Sequence, residues 1–483
     1  MLRGGRIPYL EGVLAYINGA AAAFHTPGHK QGKGAYAPLS LLLGERCFQA
    51  DVGDEVGGGE DRDALLRRAE DLAAQLYGVD RTYFLVNGTT SALHGMMLGA
   101  FAPGDELLIS RNMHLSAAAG LILAGVEPVF IPVKWCKNLG LPLGWDLGDW
   151  QRAGEEHPKA KGAFLVYPTY HGFCPDLASL IELVKARGML VLVDEAHGPH
   201  LALNSLLPPS ALELGADLVA HSAHKILGAL TQSSLLHVKG EIPPRLRGAL
   251  ELLLSTSPSP LLMASLDGAR AQMEDGGALW DRALTLAHRA RERIESLPGL
   301  SICGPEYVEE GMIAAWDPTK LVVSVKELGY TGWEAADFLR RCGIGVEMAD
   351  WWTVLCLLTY ADGPEEVDAL AAGLAKLAAT PPPDGGAGAR RLAGLDITPP
   401  AIPPRSLSPR EAFFRPRSKV PLHRALGRIA AEIIAPYPPG SPVIIPGEIF
   451  TEEVLEYLEL LKMCQVKVRG VDDPALAEVA VVA

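Results

Sequence analysis

A lysine, an aspartate and a run of hydroxyl side chains each follow a strand-like run in this 483-residue chain. Lys225 comes shortly after the predicted strand 217–220, and Asp194 ends the apolar run 189–193. The segment NGTTS at 87–91 separates a strand pattern from a helix pattern. Ligands of open α/β sheets bind at the carboxyl ends of the strands, so all three positions are candidates for one binding site.

An amine, a carboxylate and an anion-binding helix start are together what pyridoxal phosphate needs. We expect Lys225 to form the Schiff base and Asp194 to keep the ring nitrogen protonated. Backbone N–H groups and hydroxyls at 87–91 would bind the phosphate. Each feature alone has an ordinary alternative: a surface lysine, a solvated strand-end carboxylate or helix cap, and a capping turn. Neither a P-loop nor a Rossmann glycine fingerprint after the first strand occurs in the sequence.

The elements that must position these side chains alternate between strands and helices. Strands are predicted at 82–86, 106–110, 128–133, 163–167, 189–193, 217–220 and 234–238, and helices at 8–18, 62–77, 90–101, 115–124, 177–187, 261–273 and 278–296. Asp61 could cap the helix 62–77, and Gly78 could end it. Apolar strands that alternate with helices indicate a parallel α/β sheet buried on both faces.

Composition changes along the chain predict five parts. They are an N-terminal segment 1–60, a large cofactor domain 61–296, a small α+β domain 297–379, a Pro-rich linker 380–405 and a C-terminal module 406–483. Because the linker is rich in Pro and Gly, we expect it to contain no packed element. Ser408 and Pro409 are typical of a helix cap and a first helical residue, so the module begins with a helix.

The overall composition excludes several classes of protein. Apolar residues make up 48% and charged residues 21%, which excludes collagen, wholesale disorder and a disulfide-stabilised miniprotein. The formal net charge of −14 disfavours nonspecific binding to nucleic acid. No apolar run is long enough to cross a membrane, and the N-terminal stretch predicts a helix rather than a signal peptide. The seven cysteines are scattered without a C-x-x-C pair, so we expect no disulfide framework, no metal site and a cytoplasmic location.

Beyond these features, the chain resembles the Orn/Lys/Arg decarboxylases, pyridoxal-phosphate enzymes with the aspartate-aminotransferase fold. The matching segments follow the family order over nearly the whole chain: TPGHKQG at 26–32, NGTTS at 87–91, RNMH at 111–114, VDEAHG at 193–198, SAHK at 222–225, STSP at 255–258, GVEMAD at 345–350 and PPG at 438–440. The resemblance implies fold type I: a mainly parallel seven-stranded sheet with helices on both faces, a small α+β domain and a C-terminal module. Because the TPGHKQG motif comes so early, the chain is similar to the shorter, biosynthetic members that lack an N-terminal wing domain.

The resemblance also implies roles for single residues. Lys225 would be the cofactor lysine, Asp194 would pair with the pyridine nitrogen, and His114 would stack on the ring. Thr90, Ser91, Ser222 and His224 would contact the phosphate, and His197 would contact the cofactor. Thr256 and Ser257 would reach the neighbouring subunit's site. Glu347 or Asp350 would contact the substrate. Ordinary alternatives are a helix-start position for His114, packing for His224 and pairing with an arginine for Glu347.

The implied function is α-decarboxylation of lysine, arginine or ornithine by a cytoplasmic homodimer with shared active sites. An aminotransferase or lyase of the same fold is one alternative, although an aminotransferase usually needs an arginine clamp where this chain carries Glu347. A catalytically silent regulatory homologue is the other. The presence of Lys225, Asp194 and His114 together argues against it.

Overall fold

The computed structural model describes residues 6–19, 22–57 and 59–483. The helices are α1 Pro8–Gly19, α2 Ala37–Leu43, α3 Glu45–Ala50, α4 Arg62–Tyr77, α5 Gly88–Ala100, α6 Leu115–Ala124, α7 Leu147–Glu156, α8 Leu177–Lys185, α9 Ala211–Leu214, α10 Ala223–Ile226, α11 Leu246–Leu253, α12 Pro260–Met273, α13 Gly276–Glu295, α14 Pro305–Glu309, α15 Gly332–Arg341, α16 Pro364–Ala378, α17 Ala387–Leu392, α18 Pro409–Phe414 and α19 Glu452–Met463. The strands are β1 Arg81–Leu85, β2 Glu106–Ser110, β3 Glu127–Ile131, β4 Lys134–Cys136, β5 Leu141–Gly144, β6 Gly162–Val166, β7 Phe173–Cys174, β8 Leu190–Asp194, β9 Leu218–His221, β10 Ser234–Val238, β11 Ser301–Cys303, β12 Ala315–Trp316, β13 Lys320–Ser324, β14 Met348–Ala349, β15 Thr353–Leu357, β16 Arg417–Pro421, β17 Ala435–Pro436, β18 Val468–Arg469 and β19 Glu478–Val482. Short 3₁₀ helices lie at Leu201–Leu203, Lys326–Leu328, Pro383–Gly385 and Leu422–Arg424.

The chain forms two compact units, each assembled from separate stretches of sequence. The first comprises Met1–Ala100, Leu192–Ser205 and Pro209–Gly277, and the second comprises Phe101–Val191, Leu206–Pro208 and Ala278–Ala483. The predicted mainly parallel seven-stranded sheet is confirmed. Strands β8 and β9 are parallel, as are β2 and β6 and β2 and β3, whereas β10 is antiparallel to β1 and β9.

In the first unit, the strand order β1-β10-β9-β8 brings the predicted cofactor residues to one sheet edge. Asp194 is the last residue of β8 and is in register with Ala220 of β9. After β9, the chain turns into α10, which carries Lys225. Helix α5 packs closely on α11, because a Cβ on Gly99 would lie 2.6 Å from the Cα of Leu246.

The second unit contains several separate β structures. Strands β6, β2 and β3 are parallel neighbours, and β11-β13-β15-β14 form an antiparallel sheet with α15 and α16 nearby. Near the C-terminus, β16 pairs with β19 and β17 with β18. Apolar side chains of the antiparallel sheet and its helices form one hydrophobic core, and those of the C-terminal elements belong to another.

Several predicted boundaries agree with the structure. The helices 62–77 and 115–124 and the strands 106–110 and 234–238 have the predicted bounds. Asp61 caps α4 by accepting the N–H of Asp63, and Gly78 ends it in the left-handed conformation. Ser408 caps α18 as predicted. None of the described helices is long and apolar enough to cross a membrane.

The expectation that 380–405 contains no packed element is wrong. Helix α17 lies inside this segment, and its Ala389 and Leu392 are buried in the core of the second unit. Ile397, further along, is buried in the same core. The spacing of Ala389 and Leu392 places both side chains on one helix face, so the segment packs despite its many Pro and Gly residues. The predicted domain boundaries stay predictions.

Candidate active site

Lys225 and His197 lie together at the sheet edge of the first unit. Lys225 Nζ is 2.8 Å from His197 Nε2, within hydrogen-bond distance. His197 is only 6% exposed, because it follows the end of β8 in a buried turn. The structure thus brings together two residues that the sequence placed at the cofactor.

Asp194 is a buried carboxylate beside this lysine. It is 5% exposed, and its Oδ1 accepts the N–H of Ala196 at 3.2 Å. Burial raises the pKa of Asp194, while the charge of Lys225 and the Ala196 hydrogen bond lower it in part. A buried carboxylate is stable in its charged form only beside a cation or strong donors. Asp194 therefore suits a cationic ring nitrogen as a partner.

A cluster of three hydroxyls lies at the start of α5. Thr89 Oγ1 is 2.5 Å from Ser222 Oγ and 2.9 Å from Ser234 Oγ. All three side chains are buried. The first N–H groups of a helix have no carbonyl partner within it, so this helix start can bind an anion.

Thr90 and Ser91, the predicted phosphate ligands of this helix, differ in their surroundings. Thr90 is exposed. Ser91 is buried, and its hydroxyl donates to the carbonyl of Gly88 at 2.8 Å. Thr89 and Ser234 were not predicted from sequence as single site residues. Thr89 lies inside the motif that marked the site, but Ser234 begins an ordinary strand and carries no signal of its own.

The remaining predicted residues of the first unit lie further along the chain. His224 Nδ1 is 3.0 Å from the carbonyl of Ser233 and therefore donates to it. This bond places a proton on Nδ1. Thr256 and Ser257 are exposed, and the N–H of Ser257 bonds to Ser255 Oγ at 3.1 Å. Their role toward a neighbouring subunit stays a prediction.

His114, in the second unit, caps helix α6. Its Nδ1 accepts the N–H of Ser116 at 3.2 Å and lies 2.6 Å from the Ser116 hydroxyl. Because the backbone N–H needs an acceptor, the proton of a neutral His114 ring is assigned to Nε2. The ordinary alternative of a helix-start position therefore holds, and it does not exclude a cofactor contact.

The two predicted substrate carboxylates each meet a residue that follows β6. The hydroxyl of Tyr170 donates to Glu347 Oε1 at 2.5 Å, and His171 Nε2 lies 3.0 Å from Asp350 Oδ2. The other oxygen of Asp350 accepts two N–H groups and a hydroxyl of its own turn. Glu347 is exposed rather than half-buried, and its partner is a tyrosine rather than an arginine.

These carboxylates line a cavity of about 800 Å³ within the second unit. Aromatic side chains make up much of its wall: Trp135, Trp333, Trp351, Tyr437 and Tyr457. Burial, followed by the charge of Glu347, raises the pKa of Tyr170, so its hydroxyl stays protonated. Tyr170 and His171 were missed from sequence, because a tyrosine and a histidine after a strand form no recognised pattern on their own.

A second buried acid, Glu195, directly follows Asp194 at the end of β8 and bonds to a different set of residues. Glu195 is fully buried and lies 2.7 Å from His221 Nε2. It also accepts the Ser210 hydroxyl and the Ala211 N–H, both at 2.8 Å. Burial raises the pKa of Glu195 to about 8 and lowers that of His221 to about 3.

The groups brought together in the first unit fit pyridoxal phosphate. The set contains an amine that can bond to an aldehyde, a buried carboxylate for the ring nitrogen, and a helix start with buried hydroxyls for the phosphate. Across the described ranges of the chain, no group of three His, Cys, Asp or Glu side chains could hold a metal ion.

Comparisons with known proteins agree with this fit. Residues 7–366 match the family description "Orn/Lys/Arg decarboxylase, major domain", and residues 400–473 match "Orn/Lys/Arg decarboxylase, C-terminal domain". The chain is 36% identical to the arginine decarboxylase of Bacillus subtilis, over 98% of this chain and 97% of that protein. It is 26% identical to lysine decarboxylase LdcA of Pseudomonas aeruginosa, over 96% of this chain and 77% of that protein.

A likeness to solved structures supports the fold. The Francisella novicida lysine decarboxylase LdcF aligns with a TM-score of 0.86 at 22% identity, over 98% of this chain and 80% of that one. An alanine–glyoxylate aminotransferase from Nostoc sp. aligns with a TM-score of 0.54 at 20% identity, over 70% of this chain and 92% of that one. The predicted fold of type I pyridoxal-phosphate enzymes is confirmed.

Proposed function

Because this chain belongs to the Orn/Lys/Arg decarboxylase family and is a pyridoxal-phosphate-dependent decarboxylase of a basic amino acid, we propose that it converts arginine to agmatine and CO2. This membership favours decarboxylation over transamination or a silent regulatory role. The single observation that carries the choice of arginine is the near full-length similarity to an arginine decarboxylase at 36% identity. The matched lysine decarboxylase LdcA is less similar, at 26% identity.

The cavity in the second unit supports a guanidinium substrate. A guanidinium is planar, donates hydrogen bonds in a fixed fork and stacks on aromatic rings. Glu347 supplies a carboxylate whose Oε1 is oriented by the Tyr170 hydroxyl. Trp333 and Tyr437 supply aromatic surface in the same cavity. A carboxylate beside aromatic rings suits arginine better than the compact, strongly hydrated ammonium of lysine or ornithine.

We propose the following roles in the reaction for residues of the first unit. When bound, the cofactor supplies a sink for the electron pair that remains on Cα after CO2 departs. Lys225 would bind the cofactor, and the buried Asp194 would place a negative charge at its ring nitrogen. The start of α5 and the hydroxyl of Thr89 bind the phosphate. His197, 2.8 Å from Lys225 Nζ, can take a proton from the lysine and return it, so Lys225 can protonate Cα.

The test is a direct comparison of substrates. The purified, cofactor-loaded protein is incubated with arginine, lysine and ornithine at equal concentration, and the amines formed are identified by mass spectrometry. We expect agmatine, with kcat/KM for arginine at least tenfold above that for the other two. Cadaverine or putrescine as the main product would contradict the proposal. Keto-acid formation without CO2 would indicate transamination.

We also propose a cytoplasmic homodimer in which Thr256 and Ser257 complete the neighbouring site. Their exposure at the surface of the first unit supports this arrangement. The test mixes a Lys225→Ala variant with a Thr256→Ala/Ser257→Ala variant under conditions that exchange subunits. In a shared-site dimer, each hybrid contains one wild-type site, so about a quarter of the wild-type activity should return. No recovery after proven exchange would contradict shared sites.

A further inference from the structure

The edge of the His114 ring touches the C-terminal part of the chain at Gly440. A Cβ built on Gly440 would lie 3.0 Å from both Cδ2 and Nε2 of His114. Gly440 has a φ of +91°, a backbone conformation that glycine adopts without strain. Its carbonyl accepts the N–H of Leu115 at 2.8 Å, so backbone and ring are held at the same point.

Two further bonds join the same regions. The hydroxyl of Ser441 donates to the carbonyl of Asn112 at 3.1 Å. Arg111 donates through both terminal nitrogens to the two oxygens of Glu448, at 2.6 and 2.8 Å. It also donates to the carbonyl of Val443 at 2.9 Å. The 440–448 segment therefore binds both ends of the RNMH loop at 111–114.

The Arg111–Glu448 pair has the features of a fixed structural link. Glu448 is fully buried, and Arg111 is 11% exposed at its side chain. Glu448 Oε2 also accepts the N–H of Ile445 at 2.9 Å. The guanidinium of Arg111 lies over the ring of Phe130, 4.7 Å from its centroid. A bidentate pair with further hydrogen bonds holds one geometry, unlike a single surface ion pair.

We propose that the 440–448 segment positions the His114 imidazole. The inference rests on the cofactor contact that the family resemblance implies for His114. Two contacts limit the position of the ring and support the inference. Ser116 binds the ring at Nδ1, and Gly440 lies beside its Cδ2 and Nε2 atoms. His114, Arg111 and Glu448 thus act as one unit, with Arg111 and Glu448 as positioning residues.

Gly440→Ala is the test variant, and Gly427→Ala is its matched control. Both glycines lie near the C-terminus with positive φ, +91° and +73°, so an alanine strains the backbone at either position. A Cβ on Gly427 meets nothing within 4 Å, whereas one on Gly440 would lie 3.0 Å from the His114 ring and 3.2 Å from Tyr437 Cδ2. The difference between the variants therefore separates these ring contacts, of which His114 is the nearer, from the backbone strain, and the comparison with His114→Ala shows which ring is responsible.

The main readout is the visible circular dichroism of the bound cofactor, with cofactor affinity measured alongside it. We expect Gly440→Ala to change the spectrum in the same direction as His114→Ala and to lower kcat/KM by roughly 10- to 100-fold. Gly427→Ala should keep the wild-type spectrum. If Gly440→Ala kept the wild-type spectrum while His114→Ala changed it, the positioning role of the 440–448 segment would be overturned. The proposal of arginine decarboxylation would not be affected by that result. An unchanged spectrum in His114→Ala would overturn the inference at its premise.

Glu448→Gln is the second test variant, to be used if Gly440→Ala does not fold. The amide keeps the size of the side chain but loses the bidentate charged pair with Arg111. Glu127→Gln is its control, because it breaks an exposed pair with Arg405 that also joins a C-terminal residue to the strand region. We expect a partial spectral change in Glu448→Gln alone. Equal spectra in both variants would contradict the inference.

Discussion

Replacement of Glu195 tests whether the buried acid next to Asp194 is neutral. Glu195→Ala would leave the Ser210 hydroxyl, the Ala211 N–H and the His221 ring without their partner. Each unsatisfied buried polar group costs about 1–3 kcal/mol, so we expect the loss of three partners to lower the free energy of unfolding by roughly 3–9 kcal/mol. Glu195→Gln keeps one acceptor and one donor, like a protonated carboxyl. It should cost less than about 1 kcal/mol at pH 6.5.

The pH dependence gives the sharper result. Burial raises the pKa of Glu195 from 4.5 to about 8, so between these values the folded protein keeps a proton that the unfolded chain has released. The free energy of unfolding therefore decreases as pH rises, by up to about 1.4 kcal/mol per pH unit. Burial lowers the pKa of His221 from 6.5 to about 3, so this ring is neutral in the folded protein over the whole interval. The unfolded chain protonates it partly near pH 6.5, and this contribution cancels when wild type and Glu195→Gln are compared.

The assay is urea-induced unfolding at pH 6.5 and pH 8, with protein and cofactor concentrations held equal. Over this interval the wild type should lose about 2 kcal/mol relative to Glu195→Gln, because the glutamine does not titrate. Two results would refute the reasoning. One is a Glu195→Gln variant as unstable as Glu195→Ala at pH 6.5, and the other is an identical pH slope in Glu195→Gln and wild type. Either would mean that the buried carboxyl is ionised.

Two further predictions concern packing and the substrate cavity. In Gly99→Ala the new methyl would lie 2.6 Å from Leu246 Cα, so we expect a loss of about 1–3 kcal/mol in urea unfolding. In Gly248→Ala, on α11, the new methyl meets nothing within 4 Å, so this variant should raise the free energy of unfolding by up to about 1 kcal/mol. Equal effects of the Gly99→Ala and Gly248→Ala substitutions would contradict the described packing of α5 on α11. Tyr170→Phe removes the hydroxyl that orients Glu347, so KM for arginine should rise about 5- to 10-fold with little change in stability. An unchanged KM in steady-state assays would count against Glu347 as a substrate contact.

Local signals accounted for much of the fold. Asp61 and Gly78 bound α4 as predicted, because capping and left-handed termination depend on residues adjacent in sequence. The strand ends at Asp194 and near Lys225 were also located, since apolar runs with polar ends are visible in one sequence. The packed helix α17 was not, because the burial of Leu392 depends on residues far along the chain.

Residues of the candidate site that sequence alone missed share one property: they act through long-range contacts. Ser234 joins the hydroxyl cluster only because β10 pairs with β9. Tyr170 matters because its hydroxyl reaches Glu347, 177 positions away. Glu448 likewise meets Arg111 across 337 positions. Such contacts follow from the tertiary fold and not from local sequence.

The central claim is that Lys225 attaches the cofactor. The cofactor-loaded protein is reduced with borohydride, digested and analysed by peptide mass spectrometry, which identifies any lysine that carries a pyridoxyl group. We predict the modification on Lys225 in the wild type, and the loss of both the modification and decarboxylation in Lys225→Ala. A pyridoxyl group on another lysine, such as Lys30, or arginine decarboxylation at the wild-type rate by Lys225→Ala would contradict it.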